Sequence, residues 1–297
     1  MLDLVRLRLL LELAHRGTMT AVAEALHLTS SAVSQQLATL ERETGAVLLE
    51  RVGRRVQLTA EGVRLVAHAE AIFAAVEAAG LDLRAARERP QGRLEIGAFS
   101  TFAKEHLLPA IVRVRERFPD LQVIVREMEP ADSIAAVRDG RCDLAVSYTY
   151  SLVPRTETAG LAVQPLIEEP VLLALPPRWG KAAGPVDLAR LAGADWIVGS
   201  RQTDDRLLAE RACATAGFTP RMTHTVDDYD LLLRMVAAGL GIGFVPALAL
   251  RSSKVKNVAT RAAGGLSLVR RIDAVTRRTL AASPAVQALL SVLPGAG

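Results

Sequence analysis

The sequence of 297 residues predicts an α/β protein with a winged helix-turn-helix at its N-terminus and a long helix behind it. Three observations carry that expectation. The first sixty residues combine helical apolar spacings, a tight turn and an Arg-rich alternating stretch. Residues 60–89 contain no proline and keep a heptad of apolar positions. From Arg93 onward, short apolar runs alternate with helical segments in a βαβ rhythm, which predicts a parallel sheet.

Leucines 4, 7, 10, 11 and 13 give residues 3–16 a helical period. Gly17-Thr18-Met19-Thr20 ends that helix and starts a short one over 21–26, with Thr20 as its N-cap. His27-Leu28-Thr29 is a tight turn. A third helix runs from Ser30 to Thr44 and stops at Gly45. Ala23, Leu28, Val33, Leu37 and Leu40 lock the pair of helices, while Ser30, Ser31, Ser34, Gln35 and Gln36 form a polar face. Short donors and acceptors near a helix start suit base edges in a major groove. Residues 47–59 alternate around Gly53-Arg54 as a β-hairpin, whose Arg51, Arg54 and Arg55 suit phosphates or a minor groove. A helix-turn-helix followed by a basic hairpin is a winged helix.

Leu65, Ala69, Ile72, Val76, Ala79 and Leu83 follow a 4,3 spacing, and a helix of about 45 Å cannot bury such a seam alone. Dimerisation through residues 60–89 is therefore expected. Beyond Pro90, strands are expected over 94–98, 121–125, 143–147, 171–175, 195–199, 221–226, 241–245 and 266–276. Helices are expected over 103–117, 133–138, 187–192, 204–216, 228–238 and 284–293, with 251–265 as loop.

Composition excludes several classes. An apolar content of 50% against 23% charged residues excludes global disorder. Two cysteines, Cys142 and Cys213, cannot scaffold a chain this long, and reduced cytoplasm is the simplest setting. No apolar run approaches ~18 residues, so no membrane span is expected. Charges at Asp3, Arg6, Arg8, Glu12 and Arg16 break the opening stretch as a signal peptide. Five scattered histidines offer no metal-ligand spacing, and there is no G-x-S-x-G, so neither a metal, a cofactor nor a catalytic centre is expected. Gly239-x-Gly241-x-Gly243 lacks phosphate-loop spacing and reads as a turn into a strand.

The formal net charge is +4, and a pI near 9.4 permits nucleic acid as a partner. Residues 1–90 balance eleven Arg with eleven acids, whereas residues 251–278 hold eight basic side chains against Asp273 alone. Net charge would place a nucleic-acid site in the second stretch. The geometry of the first ninety residues is more specific, and Arg270, Arg271, Arg277 and Arg278 read as a solvated surface flanking a strand.

The residues 21–26 (AVAEAL), 28–34 (LTSSAVS), Leu40-Glu41, Gly45, Leu48, Arg51, Arg54 and 58–62 (LTAEG) strongly resemble the N-terminus of LysR-type transcriptional regulators. Gly92-x-Leu94-x-Ile96-Gly97, Leu108-Pro109, Phe118-Pro119, Asp143-Leu-Ala145 and the run from Ala238 to Pro246 resemble that family's effector domain. Gln35 stands where the family often has a basic residue, Ser30-Ser31 replaces a frequent Gln-Pro, and Leu49 replaces a common Phe. The resemblance implies a winged helix over 1–59, a linker helix over 60–89 and a two-lobed effector domain of periplasmic-binding-protein type over 90–297. It implies lobe I at 92–161 plus 267–297, lobe II at 165–263, and crossovers near 162–165 and 264–266.

It further implies a cytoplasmic homodimer or homotetramer on double-stranded promoter DNA, with RNA polymerase as a further partner. DNA contacts carry over to Thr20, Thr29, Ser30, Ser31, Ser34, Gln35, Gln36, Arg51, Arg54 and Arg55. Effector contacts carry over to Ser100, Thr101, Phe102, Ser147, Tyr148, Gly199, Ser200, Arg201, Thr203, Val226 and Pro246. Exposed helix N–H groups at Ser100–Phe102 and the Arg201 guanidinium suit a small anionic effector. Asp227 and Asp228 read instead as caps of the next helix. One Cys per lobe argues against peroxide sensing by a cysteine pair. Two other readings remain at this stage. One is a two-lobed ligand-binding or transferase module without DNA function; the other is an architectural DNA binder with an unused cleft.

Overall fold

Asp3 starts the first helix. Its carboxylate accepts from the Val5 and Arg6 N–H groups at 2.8 and 3.2 Å, and α1 (Leu4–Arg16) ends on Gly17 in the left-handed conformation. This is a computed structural model, and it describes residues 2–52, 55–85, 89–154, 158–179, 184–200 and 204–295. The cap of α2 (Met19–Ala25) is Thr18, whose Oγ1 accepts from Ala21 N–H at 3.2 Å. Thr20, expected as the cap, lies one residue inside the helix. His27 (φ 54°) turns the chain, and Thr29 caps α3 (Ser30–Thr44) through Ala32 N–H at 3.2 Å. Glu41 on α3 accepts from the N–H groups of Leu48 and Leu49 at 2.8 and 3.1 Å, fastening the entry to the hairpin. β1 (Leu49–Val52) and β2 (Arg55–Leu58) pair with Val52 opposite Arg55. The wing is thus a two-residue hairpin whose tip, residues 53 and 54, lies outside the described residues.

Leu7, Leu10, Val22, Val33, Leu37, Leu40 and Leu48 pack into one core and are almost fully buried. Each such side chain contributes roughly 1.5–3 kcal/mol by leaving water. The long helix α4 (Ala60–Ala85) starts against the hairpin at Gly62, where a Cβ would lie 2.2 Å from the Leu48 carbonyl oxygen. Leu65, Ala69 and Ile72 of its seam pack on the α1–α3 core of the same chain. Val76 and Ala79 are exposed, and the Leu83 side chain lies outside the description. The seam therefore changes use halfway along: its first part closes the N-terminal unit and its continuation faces solvent.

The chain divides at residue 86, and the second unit is Arg87–Gly297. β3 (Gly92–Ala98) leads into α5 (Ser100–Phe102), a π turn (Ala103–Leu107) and α6 (Leu108–Arg117). β4 (Leu121–Glu127), α7 (Pro130–Arg138) and β5 (Leu144–Tyr150) follow, with β4 and β5 parallel to β3 on either side. β6 spans Leu161–Leu175, β7 Asp195–Val198, β8 Arg221–Thr225, β9 Gly243–Pro246, β10 Ala259–Arg261 and β11 Val269–Arg277. Between them lie α8 (Asp204–Thr215), α9 (Tyr229–Ala237) and α10 (Ala247–Ser252), and α11 (Pro284–Leu290) closes the chain.

The sheet runs β10-β6-β11-β5-β3-β4, with β9 also on β6, while β7 and β8 form a separate parallel pair. It is mixed rather than parallel, because β11 is antiparallel to both β5 and β6. β6 pairs with β11 through Pro170 and with β9 and β10 from Val171 onward. One strand thereby changes its sheet partner at Pro170–Val171. β6 starts ten residues before the expected strand over 171–175, in a stretch whose Pro165, Pro170 and two glutamates give no strand pattern; a register shift lies opposite Ile272/Asp273, next to Pro165. The expected helix over 187–192 is a 3-10 turn, Leu188–Leu191, and the expected loop over 251–265 holds β10. Gly241 and Gly243 pass so close to the carbonyls of Asp195 and Ile197 that a Cβ would lie 2.8 Å from each oxygen, which is the packing reason for those glycines.

Candidate nucleic-acid interface and effector cleft

The buried and exposed faces of α3 separate cleanly. Val33, Leu37 and Leu40 point into the core, and Ser30, Ser31, Ser34 and Gln35 are exposed, as are Thr20 and Thr29. Local bonds already engage some of them. Thr29 Oγ1 lies 3.0 Å from Ser31 Oγ while capping the helix, and Gln36 accepts from Arg6 Nε at 2.9 Å, which turns it toward α1. Ser34 and the Gln35 side chain carry no such bond among the described residues. Two acids of this unit are held in ion pairs: Arg6 reaches Glu43 at 2.5 Å, and buried Glu12 holds Arg8 and Arg16 at 3.0 and 2.8 Å. The net zero charge of residues 1–90 therefore leaves the α3 face free of acidic side chains up to Thr39. The side chains of Arg51, Arg54 and Arg55 lie outside the description.

In the second unit the C-terminal ends of β3, β7 and β8 and the last half of β5 carry most of the expected ligand residues, as ligand sites are placed in open α/β sheets. Ser100 and Thr101 line a cavity of about 380 Å3 together with Lys104, Tyr229, Asp230 and Ser253. Gly199 and Val226 line a smaller one of about 10 Å3, room for a single water, with Asp205, Tyr229 and Phe244. Other expected residues turn elsewhere. Phe102 is fully buried against the Phe99 and His106 rings, Ser147 is buried on the opposite side of β5 from Tyr148, and Pro246 is buried on β9 facing Val171. Ser200 N–H donates to Asp227 Oδ1 at 2.6 Å, so Asp227 fastens that loop, while Asp228 caps α9 through Leu231 N–H at 2.7 Å. Arg201 and Thr203 lie outside the described residues.

Sequence reasoning missed a buried ion pair beside these loops. Arg270 is not a solvated surface residue: its side chain is 1% exposed. Its Nε and Nη2 donate to Glu169 Oε1 at 2.8 and 2.6 Å, and Nη2 also donates to Thr101 Oγ1 at 2.9 Å. The guanidinium lies 4.8 Å from the Phe99 ring centroid and 5.0 Å from that of Tyr148. Glu169 Oε2 accepts from Leu248 N–H, at the start of α10, at 2.6 Å. The pair thus sits where β6 changes partner and ties elements of both lobes together. Burial opposes the Arg270 charge, but Tyr150, Tyr229 and Glu169 around it outweigh burial and hold it protonated. The missed signal is period two: Arg270, Ile272 and Ala274 share one face of β11, and Glu169, Val171 and Leu173 share one face of β6.

Tyrosines connect the lobes. Tyr150 on β5 donates to Asp205 on α8, Tyr229 on α9 donates to the same carboxylate at 2.9 Å, and the two phenol oxygens are 3.1 Å apart. Tyr148 donates to Glu129 at 2.8 Å. Burial raises the pKa of both Asp205 and Glu129 above the usual carboxylate range. Part of the basic tract at 251–278 is engaged as well: Arg271 pairs with Glu168 at 2.7 Å and Arg277 with Asp143 at 3.4 Å. Both cysteines are buried, and desolvation raises the Cys142 thiol pKa and pushes that of Cys213 up to about 12. That is the reverse of a reactive thiolate. Among the described residues, no group of three or more His, Cys, Asp or Glu could hold a metal ion, and no helix is long and apolar enough to cross a membrane.

Known proteins share both halves. The family described as bacterial regulatory helix-turn-helix protein, lysR family, matches residues 4–63, and the LysR substrate binding domain matches residues 87–296. The nitrogen assimilation regulatory protein nac of Escherichia coli (strain K12) is 30% identical over 251 residues, covering 83% of this chain and 79% of the relative. A full-length OxyR from Pseudomonas aeruginosa has the same fold with a TM-score of 0.63 at 22% identity, covering 98% of this chain and 94% of that one. The full-length CbnR complexed with its target DNA superposes with a TM-score of 0.53 at 23% identity, covering 98% of each chain.

Proposed function

The chain belongs to the LysR family of bacterial regulators, a DNA-binding transcription regulator and not an enzyme, and from that premise we propose how its parts divide the work. Residues 1–59 read the operator. Ser34, Gln35, Ser30 and Ser31 on α3 meet the major groove, Thr20 and Thr29 flank it, Gln36 holds α1 to α3, and Arg51, Arg54 and Arg55 on the wing meet phosphates. Residues 60–89 pair two copies through the exposed continuation of the α4 seam, and pairs assemble into tetramers. Residues 90–297 bind a small-molecule effector between lobe I (92–161 with 267–297) and lobe II (165–263). Ser100, Thr101, Tyr148, Gly199, Ser200, Arg201, Thr203 and Val226 surround that cleft, and Phe102, Ser147 and Pro246 support it from behind. The protein works in the cytoplasm beside RNA polymerase.

The observation that carries this reading is the division of α3 into a fully buried apolar face and a polar face without acidic side chains up to Thr39. The switch is a population shift: effector favours one lobe arrangement, and the oligomer changes half-site spacing or DNA bend. Two half-sites compensate for modest affinity per subunit. Footprinting of the full chain on the DNA flanking its own coding region tests this. A protected, two-fold related core that Ser34→Ala or Arg54→Ala weakens supports the reading. Protection that neither substitution alters assigns recognition elsewhere.

A further inference from the structure

The Asp205 end of the effector cleft is short of positive charge; Lys104 lines the larger, 380 Å3 cavity beside Asp230. Among the described residues Arg270 is the only buried cation, and it is committed to Glu169, Thr101 and the rings of Phe99 and Tyr148. Two half-buried carboxylates here have no ion pair among the described residues. Asp205 is met by the phenol hydroxyls of Tyr150 and Tyr229, and Glu129 by that of Tyr148. Phenols are neutral donors, and burial raises the pKa of both carboxyls, as expected where charge compensation is incomplete. The rings are close-packed, with Tyr148 4.8 Å from Phe99 and 5.2 Å from Tyr150, and ring faces attract cations. A small cavity abuts Asp205 and is lined by Gly199, Val226 and Tyr229; the 380 Å3 cavity shares Tyr229. A carboxylate entering at Asp205 would face Glu129, Glu169 and Asp205, while Lys104 lies in the lining of the larger cavity with Asp230.

We propose that the effector carries a protonated nitrogen, as an amine or amino acid does, and that this nitrogen docks on Asp205 in place of the Tyr150 hydroxyl. The proposal rests on the effector reading above and departs from the anionic ligand that the sequence suggested. The Tyr150–Asp205 bond is a stand-in for the ligand: a neutral O–H occupies the acceptor that a charged N–H would fill more strongly. Tyr150 belongs to a lobe I strand and Asp205 to a lobe II helix. Replacing that bond therefore changes how the lobes are joined, which couples binding to lobe arrangement.

Calorimetric titration of the full chain at neutral pH with three four-carbon probes tests the inference: 1,4-diaminobutane, 4-aminobutanoate and butanedioate. At least one amine binds, butanedioate does not, and Asp205→Asn weakens the amine by about ten- to hundredfold, the loss of one charge-assisted hydrogen bond. Glu129→Gln weakens it less, and Tyr150→Phe, which removes the competing donor, leaves it equal or tighter. Near-native tryptophan fluorescence confirms that each variant is folded. Tighter binding of butanedioate overturns the amine while preserving an effector cleft. Amine binding that Asp205→Asn leaves unchanged overturns the placement. Absence of binding by all three probes overturns the proposal, whereas the effector reading itself falls only if small-molecule extracts of the host cell also leave the DNA footprint unchanged.

Discussion

Glu169→Gln isolates the buried pair at the lobe junction. The substitution keeps the shape and removes one charge, leaving the Arg270 guanidinium uncompensated where only 1% of it meets solvent. Glu169 itself is 6% exposed, so water cannot screen the loss. Three donors now converge on its carboxylate: Arg270 Nε at 2.8 Å, Arg270 Nη2 at 2.6 Å and Leu248 N–H at 2.6 Å. A glutamine has one acceptor oxygen for all of them. Breaking a buried ion pair on one side costs about 3–5 kcal/mol. For a unit of this size that corresponds to a fall in Tm of roughly 6–20 °C. Trp179 and Trp196 are the two tryptophans of the chain, and both lie in the second unit, so their fluorescence reports its unfolding without interference from the first. The double variant Glu169→Gln/Arg270→Met removes the stranded charge and recovers more than half of the loss. A single-variant cost below about 1 kcal/mol, or a double variant less stable than either single one, would refute the reasoning.

Further expectations follow from the same geometry. Glu129 titrates above its ordinary 4.5 in the folded protein because of burial, so its protonated form is favoured by folding; that stability is complete below pH 4.5 and is lost as pH rises through the folded value. Glu129→Gln should therefore raise Tm at pH 7 and leave it unchanged near pH 4, and equal effects at both would contradict the assignment. Cys142 and Cys213 should react with a thiol reagent in the native protein only as fast as the domain opens, because both thiols are buried with raised pKa; rapid labelling of either without unfolding would show otherwise. Arg54→Ala should reduce the slope of log affinity against log salt by about 1 and weaken all DNA sequences alike. A change in sequence preference instead would make Arg54 a base reader.

The N-terminal unit was the most legible part of the sequence, because its elements are local. Gly45, the Leu spacing of α1 and the polar face of α3 all act within one or two helical turns. Thr20 was misplaced as a cap because Thr18 and Thr20 both fit the pattern, and the choice depends on where the chain leaves Gly17. The second unit was legible as alternating strands and helices but not as a mixed sheet: the antiparallel insertion of β11 between β5 and β6 joins segments over a hundred residues apart. The buried Arg270–Glu169 pair was hidden for the same reason. Arg270 meets Glu169 and Thr101 only through that pairing, and its companions Arg271, Arg277 and Arg278 suggested a solvated surface. Asp205 falls at the start of the expected helix over 204–216, and nothing local in the sequence marks the convergence of Tyr150 and Tyr229 on it.

Selection of the full chain on a pool of random double-stranded DNA tests the central claim most directly. The account predicts enrichment of a motif with two related half-sites about one helical turn apart, or a multiple of that, with sequence preference altered by Gln35→Ala or Ser34→Ala. Absence of any enriched motif from a folded protein, or a motif indifferent to both substitutions, would contradict recognition through α3.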